Sequence, residues 1–306
     1  MYKKVKLLEK DLINLESLTP IKVGLISNST SKLITPALIA SALRFGIILD
    51  VVEAEYNQVA QEAFSEQSTF NDHQLNVVLV SLDYRGLPLF PTPGNKVSAE
   101  KNVRDCLSYI SSIIDSLRSK TGAQIIFQNI ATNVEKISGS YEERLPGTLS
   151  WLITRINIEL DALASDDIFI FDIAGLAANV GLSNWHDPRL WNLAKLSFSE
   201  KYVPIFADSL CRIFAAKLGK SRRCLILDLD NTLWGGVIGD DGIEGILIGN
   251  GNPTGEAHLH LQKTLLDLRE RGIILAVSSK NEDAIARKPL KEHTDMLMRE
   301  EHIALY

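Results

Sequence analysis

Leu225-Ile226-Leu227-Asp228-Leu229-Asp230-Asn231-Thr232 is an apolar run that closes on two aspartates separated by one residue. A short run of this kind reads as a strand. Residues i and i+2 of a strand share a face but stand several Å apart. Both carboxylates therefore reach one small substrate only if the strand ends near Asp228 and a turn begins there. A carboxylate can attack phosphorus when a cation shields its charge, and a second carboxylate two residues on can protonate the leaving oxygen and then activate water. Thr232 is expected to orient that second acid. The plain alternative is a buried strand that finishes in a polar turn.

Downstream, Trp234 to Gly242 is Gly-rich, and Gly249-Asn250-Gly251-Asn252-Pro253 reads as a connector, since it lacks the spacing and lysine of a phosphate loop. Thr254 is expected to cap a helix from about Gly255 to Arg271, with Leu261, Leu265 and Leu268 on one face and Gly272 as its stop. His258 and His260 stand two apart on that helix, so they point to different faces and read as solvent or packing residues. A second strand, Ile273 to Ser278, leads into Ser279-Lys280-Asn281.

Upstream, Gly219 closes a helical pattern, and Lys220-Ser221-Arg222-Arg223 marks the best domain boundary. Before it, Ile21–Ser27, Ile47–Val52, Val77–Asp83, Ala123–Ile130 and Ile168–Ala174 read as strands. They lack in/out alternation, which predicts a parallel sheet covered by helices on both faces. Ser98 is expected to cap a helix that runs to Lys120 and stops at Gly122. Residues 52–75 read as a long loop with at most one helix.

A chain of 306 residues predicts two domains with a sizeable core. No run approaches the apolar length that spans a bilayer, and although the opening has the cations of a signal peptide, Glu9, Lys10 and Asp11 interrupt the apolar run that should follow, so no export is expected. Cys106, Cys211 and Cys224 are expected as buried thiols of a reducing, cytoplasmic protein. A net charge of −6 argues against nucleic acid or an anionic membrane as partner.

The Asp-x-Asp-x-Thr run, with Ser279 after the next strand, resembles the haloacid-dehalogenase superfamily. More narrowly, Leu227 to Gly242 followed by Ser279-Lys280-Asn281 resembles the FkbH-like family. Looser similarity continues upstream through Ile26-Ser27-Asn28-Ser29-Thr30, Val52 to Tyr56, Phe127 to Ile130, Asp172 to Leu176, Trp185, Asp187, Pro188 and Trp191. This resemblance implies an α/β chain of two parts. Residues 1–220 would form a flavodoxin-like, SGNH-hydrolase-like domain, and residues 221–306 a partial Rossmann-like phosphatase core.

It also implies a Mg²⁺-dependent phosphatase or acyl transferase that acts on a small phosphorylated acid of the glyceryl phosphate type and loads the acyl unit onto an acyl carrier protein. Asp228 would be nucleophile and metal ligand, and Asp230 the acid/base and a second ligand. Thr232, Ser279, Lys280, Asn281, Gly235 and Gly236 would bind substrate, the glycines by letting backbone approach phosphate. The superfamily's third-motif lysine and fourth-motif acidic pair find no strand between Ser279 and Tyr306, so the chain is expected to be truncated; the alternative function is then a catalytically impaired binding or docking protein. Ser278 stands where glyceryl-loading members carry Cys. In the leading part, Ser27-Asn28-Ser29 after the first strand and a late His186 resemble an esterase layout, with Asp187 in place of the usual orienting acid and Ser183 where that acid would stand.

Overall fold

The computed structural model describes residues 18–306. The charged opening discussed above lies outside them. The chain divides into two compact units, through Gly219 and from Lys220.

The first unit is built on a five-stranded parallel sheet: β1 (Thr19–Ser27), β2 (Ile47–Glu53), β3 (Val77–Ser81), β4 (Gln124–Gln128) and β5 (Ile168–Phe171), in the order β2-β1-β3-β4-β5. All five strands fall within a residue or two of the positions where the apolar runs begin. The reason shows in β3, where every residue is buried. Val78 and Val80 pack with Ile125 and Phe127 on one face, under α3 (Lys96–Thr121) and α4 (Leu149–Leu160). Val77 and Leu79 pack on the other face, under α1 (Ile34–Ala42) and α8 (Val203–Lys217). Between them lie α2 (Val59–Phe64) and, after β5, α5 (Ile173–Val180), α6 (Leu182–Trp185) and α7 (Pro188–Ala194).

The N-cap of α3 is Asn95, whose side chain accepts from Ser98 N, so Ser98 is the capped residue and not the cap. Gly122 ends the helix with φ 63°, a left-handed conformation that a residue with Cβ adopts at a cost.

The second unit pairs β6 (Cys224–Leu227) with β7 (Ile274–Val277) in parallel, and Leu305 adds a bridge to Ala276. The helical segment α9 (Ile238–Gly245) is broken at Gly242, and α10 (Pro253–Glu270) and α11 (Asp283–Glu292) follow. Asn252 caps α10 through Thr254 N and Gly255 N, with Pro253 in the first turn; Thr254 lies inside the helix.

Leu227, Leu275 and Val277 join Leu229, Trp234, Leu265, Met296 and Met298 in the core. The opposite face of the strand pair is different. Cys224 is exposed there beside Ile226 (67% exposed) and Ile274 (52%), which corrects the expectation of a buried third thiol; Cys106 and Cys211 are buried. Among the described residues no helix is long and apolar enough to cross a membrane.

Candidate functional site

β6 stops at Leu227, so Asp228 is the first residue beyond the strand, and the turn follows at residues 231–233. Asp228 is exposed, and one of its carboxylate oxygens accepts from the amide of Leu229 at 2.8 Å. The chain then folds back through Asn231, whose φ of 53° is tolerated by a short polar side chain. Asn231 and Gly236 clamp this loop: Gly236 N donates to Asn231 Oδ1 (2.9 Å), and Asn231 N donates to Gly236 O (3.2 Å).

Asp230 is half-buried and gathers three donors. Its Oδ1 accepts from the Trp234 indole (3.1 Å) and from Ile238 N (3.0 Å), and its Oδ2 accepts from Asn281 Nδ2 (2.7 Å). Asn281 in turn touches Ser279, its Nδ2 standing 3.2 Å from Ser279 Oγ. Asp230, Ser279 and Asn281 are thus brought together from the ends of two neighbouring strands. The side-chain bonds of Asp230 go to Trp234 and Asn281, not to Thr232, whose main-chain carbonyl accepts from His258 Nδ1 (2.8 Å). Lys280 is exposed.

The two glycines serve the loop itself. Gly235 N donates to Leu247 O and Leu247 N to Gly235 O, while a Cβ on Gly235 would stand 3.2 Å from Leu247 Cβ and 3.4 Å from His258 Nε2. Gly236 has φ 95°, and a Cβ there would fall 2.6 Å from Asp241 Oδ2. Both amides are taken, so the tight packing and left-handed turn, not an amide offered to phosphate, require glycine here.

Mg²⁺ is commonly held by one or two carboxylates together with substrate phosphate and water. Asp228 fits that pattern, since it is exposed and lightly bonded. Asp230 has both oxygens engaged by N–H donors. Among the described residues no three His, Cys, Asp or Glu side chains gather to hold an ion, so the fit is to an ion shared between Asp228 and a substrate.

The corresponding edge of the first unit is closed on itself. Ser27 Oγ donates to Ser81 O (2.8 Å), and Ser29 Oγ reaches Ser197 Oγ (3.1 Å). Asn28 and Asp83 exchange two hydrogen bonds (2.8 and 2.9 Å), and Arg85 pairs with Asp83 at 2.6 Å while lying over the rings of Tyr84 and Trp191. His186 Nε2 donates to the Thr132 carbonyl (2.8 Å), and Asp187 caps α7 through Leu190 N (3.0 Å). Among the described residues no serine of this edge bonds His186, and the esterase layout is not assembled. Burial pushes the His186 imidazole below its usual pKa and the Tyr84 phenol above its own. Trp185 is buried, stacked on Phe198 at 4.5 Å, and is a packing anchor.

Residues 22–215 match the family model described as FkbH, N-terminal domain. Among solved structures, the N-terminal part of the protein BF1531 from Bacteroides fragilis, containing a phosphatase domain and complexed with Mg, is 29% identical with a TM-score of 0.87; the match covers 100% of this chain and 80% of that one. Est24, a carbohydrate acetylesterase from Sinorhizobium meliloti, is 9% identical with a TM-score of 0.40, covering 64% of this chain and 99% of its own. No curated protein matches.

Proposed function

The chain belongs to the FkbH N-terminal domain family, and from that premise we propose that its second unit is a Mg²⁺-dependent phosphatase core of the haloacid-dehalogenase type. The observation that carries the reading is the pairing of an exposed, lightly bonded Asp228 with an Asp230 fixed by three N–H donors. Likeness over the whole chain to a solved protein with a phosphatase domain and Mg supports it.

In this reading a carboxylate oxygen of Asp228 attacks phosphorus, and the bond to the leaving oxygen breaks as that oxygen takes a proton from Asp230. Water then attacks the aspartyl phosphate and gives its proton to Asp230. The Asp228–phosphorus bond breaks and inorganic phosphate leaves. Asn281, the Trp234 indole and the Ile238 amide hold Asp230 in position for both transfers. Ser279 and Lys280 supply a hydroxyl and a cation for phosphate oxygens. A bound Mg²⁺, with Asp228 and substrate phosphate as ligands, would supply charge screening between nucleophile and phosphate.

The proposal extends to a small phosphorylated acid of the glyceryl phosphate type as substrate and an acyl carrier protein as acceptor. A second reading, a binding or docking protein with impaired catalysis, is favoured by the absence of a third acid, His or Cys beside Asp228 and Asp230 among the described residues.

Asp228→Asn tests the assignment, because an amide is neither a nucleophile nor an anionic ligand. Mg²⁺-dependent phosphate release should fall by about 10³-fold or more, with an unchanged thermal midpoint. Release that survives in the purified variant would remove Asp228 from the chemistry. Absence of release in the wild-type chain, with phosphorylated acid still bound, would favour the binding reading.

A further inference from the structure

Two side chains of α10, one turn apart, reach the loop that carries Asp230. His258 Nδ1 lies 2.8 Å from the Thr232 carbonyl, and Gln262 Nε2 lies 2.8 Å from the Leu233 carbonyl. The partner of His258 is an acceptor, so Nδ1 carries the proton. Gln262 is 0% exposed and every hydrogen-bonding position of its amide is used: Nε2 also meets Met296 Sδ at 2.8 Å, and Oε1 accepts from Leu297 N (3.0 Å) and Met298 N (2.9 Å). The His258 ring also sits against Gly235, where a Cβ would stand 3.4 Å from Nε2.

The two carbonyls precede Trp234, whose buried indole donates to Asp230 Oδ1. Consecutive peptides pinned from one helix face leave the indole little freedom, and the indole in turn orients the carboxylate. We propose that His258 and Gln262 are positioning residues for Asp230, acting through the Thr232 and Leu233 carbonyls and the Trp234 indole. This deepens the reading of Asp230 as acid/base and rests on it for kinetics only. The placement of the indole can be read without turnover.

The test uses the full chain with Mg²⁺ and acetyl phosphate as probe, together with the indole N–H resonance of Trp234, assigned by its loss in Trp234→Phe. In His258→Ala, kcat should fall by about 10- to 100-fold with KM nearly unchanged, and the Trp234 resonance should move. His258→Asn, whose side-chain N–H can take the place of Nδ1, should restore both. If His258→Ala does not fold, His258→Gln, with its amide one bond further out, should show the same displaced resonance.

A Trp234 resonance that stays in place in the folded variant overturns the proposal, as does failure of folded His258→Asn to bring it back. A resonance that moves and returns while no form of the chain releases phosphate sustains the positioning and discards the phosphatase reading.

Discussion

Both units end apolar parallel strands in short polar segments, and the two edges use their polar groups in opposite ways. After β1 and β3 in the first unit, Ser27, Ser29, Asn28 and Asp83 satisfy one another and Arg85, and Asp83 is buried under its partners. After β6 in the second unit, the network around Asp230 draws on Trp234, Ile238 and Asn281 but leaves neighbouring Asp228 exposed. A hydrogen-bonded acid at a strand end is therefore not a site in itself. What distinguishes the second edge is one acid held rigidly beside another left open, since a closed network stabilises while an open carboxylate can react.

The widest separation between the two edges should come from the same substitution made in each. Asp230→Asn is expected to lower Mg²⁺-dependent phosphate release by about 10²- to 10⁴-fold and to lower unfolding stability by about 1–3 kcal/mol as well, because its new NH2 faces an N–H donor. Asp83→Asn is expected to leave release unchanged and to lower unfolding stability by about 1–3 kcal/mol, because one donor of Asn28 or Arg85 loses its carboxylate. Assays of release and urea midpoints for both variants decide the matter. Exchange of the two outcomes would mean that the reactive edge has been placed in the wrong unit.

The thiols offer a second, smaller contrast. Burial pushes Cys106 and Cys211 up to about 12 from an ordinary 9.0, while Cys224 is exposed on β6. At a given pH the two buried thiols then hold about 10³-fold less thiolate than an ordinary cysteine. A thiol-specific reagent should modify one group of the native chain rapidly and the other two only after denaturant is added, with Cys224→Ser removing the rapid phase. Three equally reactive groups in the native chain would contradict the burial of the first unit's thiols.

How much of this was legible in sequence depends on whether the signal was local. The five strands of the first unit were, because burial on both faces leaves runs such as Val77–Ser81 without polar interruption. So was the end of β6 at the aspartate turn. The caps Asn95 and Asn252 lie three and two residues ahead of Ser98 and Thr254, outside the apolar periodicity, and are defined by the amides they accept. The partners of Asp230 were not legible, since Trp234, Ile238 and Asn281 meet it only after the loop closes and β7 pairs. Thr232, two residues away, looked the natural partner on spacing alone. His258 reads as a solvent or packing residue in sequence because its acceptor is a main-chain carbonyl, which no side-chain pattern reveals. Cys224 misled for the converse reason: the run around it is apolar, yet one face of β6 is exposed.

The smallest effect expected concerns His186, whose imidazole lies at the closed edge. Desolvation by burial pushes it below its usual 6.5, against the Thr132 carbonyl that its Nε2 bonds; Arg85 lowers it further, and Asp83 and Glu135 oppose. The unfolded chain titrates near the ordinary value, so between the folded pKa and about 6.5 it binds more protons than the folded one. The neutral ring's contribution to stability is therefore complete above about pH 6.5 and is lost as pH falls through the folded pKa. His186→Gln retains a side-chain N–H for the Thr132 carbonyl but cannot titrate. Carboxylates shared by both proteins contribute equally to their pH dependence, so the difference between the two curves isolates the imidazole. Urea midpoints measured from about pH 7 down to about pH 5 should decline more steeply for the wild type than for His186→Gln. Parallel curves would show that His186 is as free to protonate in the folded chain as in the unfolded one, and the first unit's edge would then be open to water in the same way as the second.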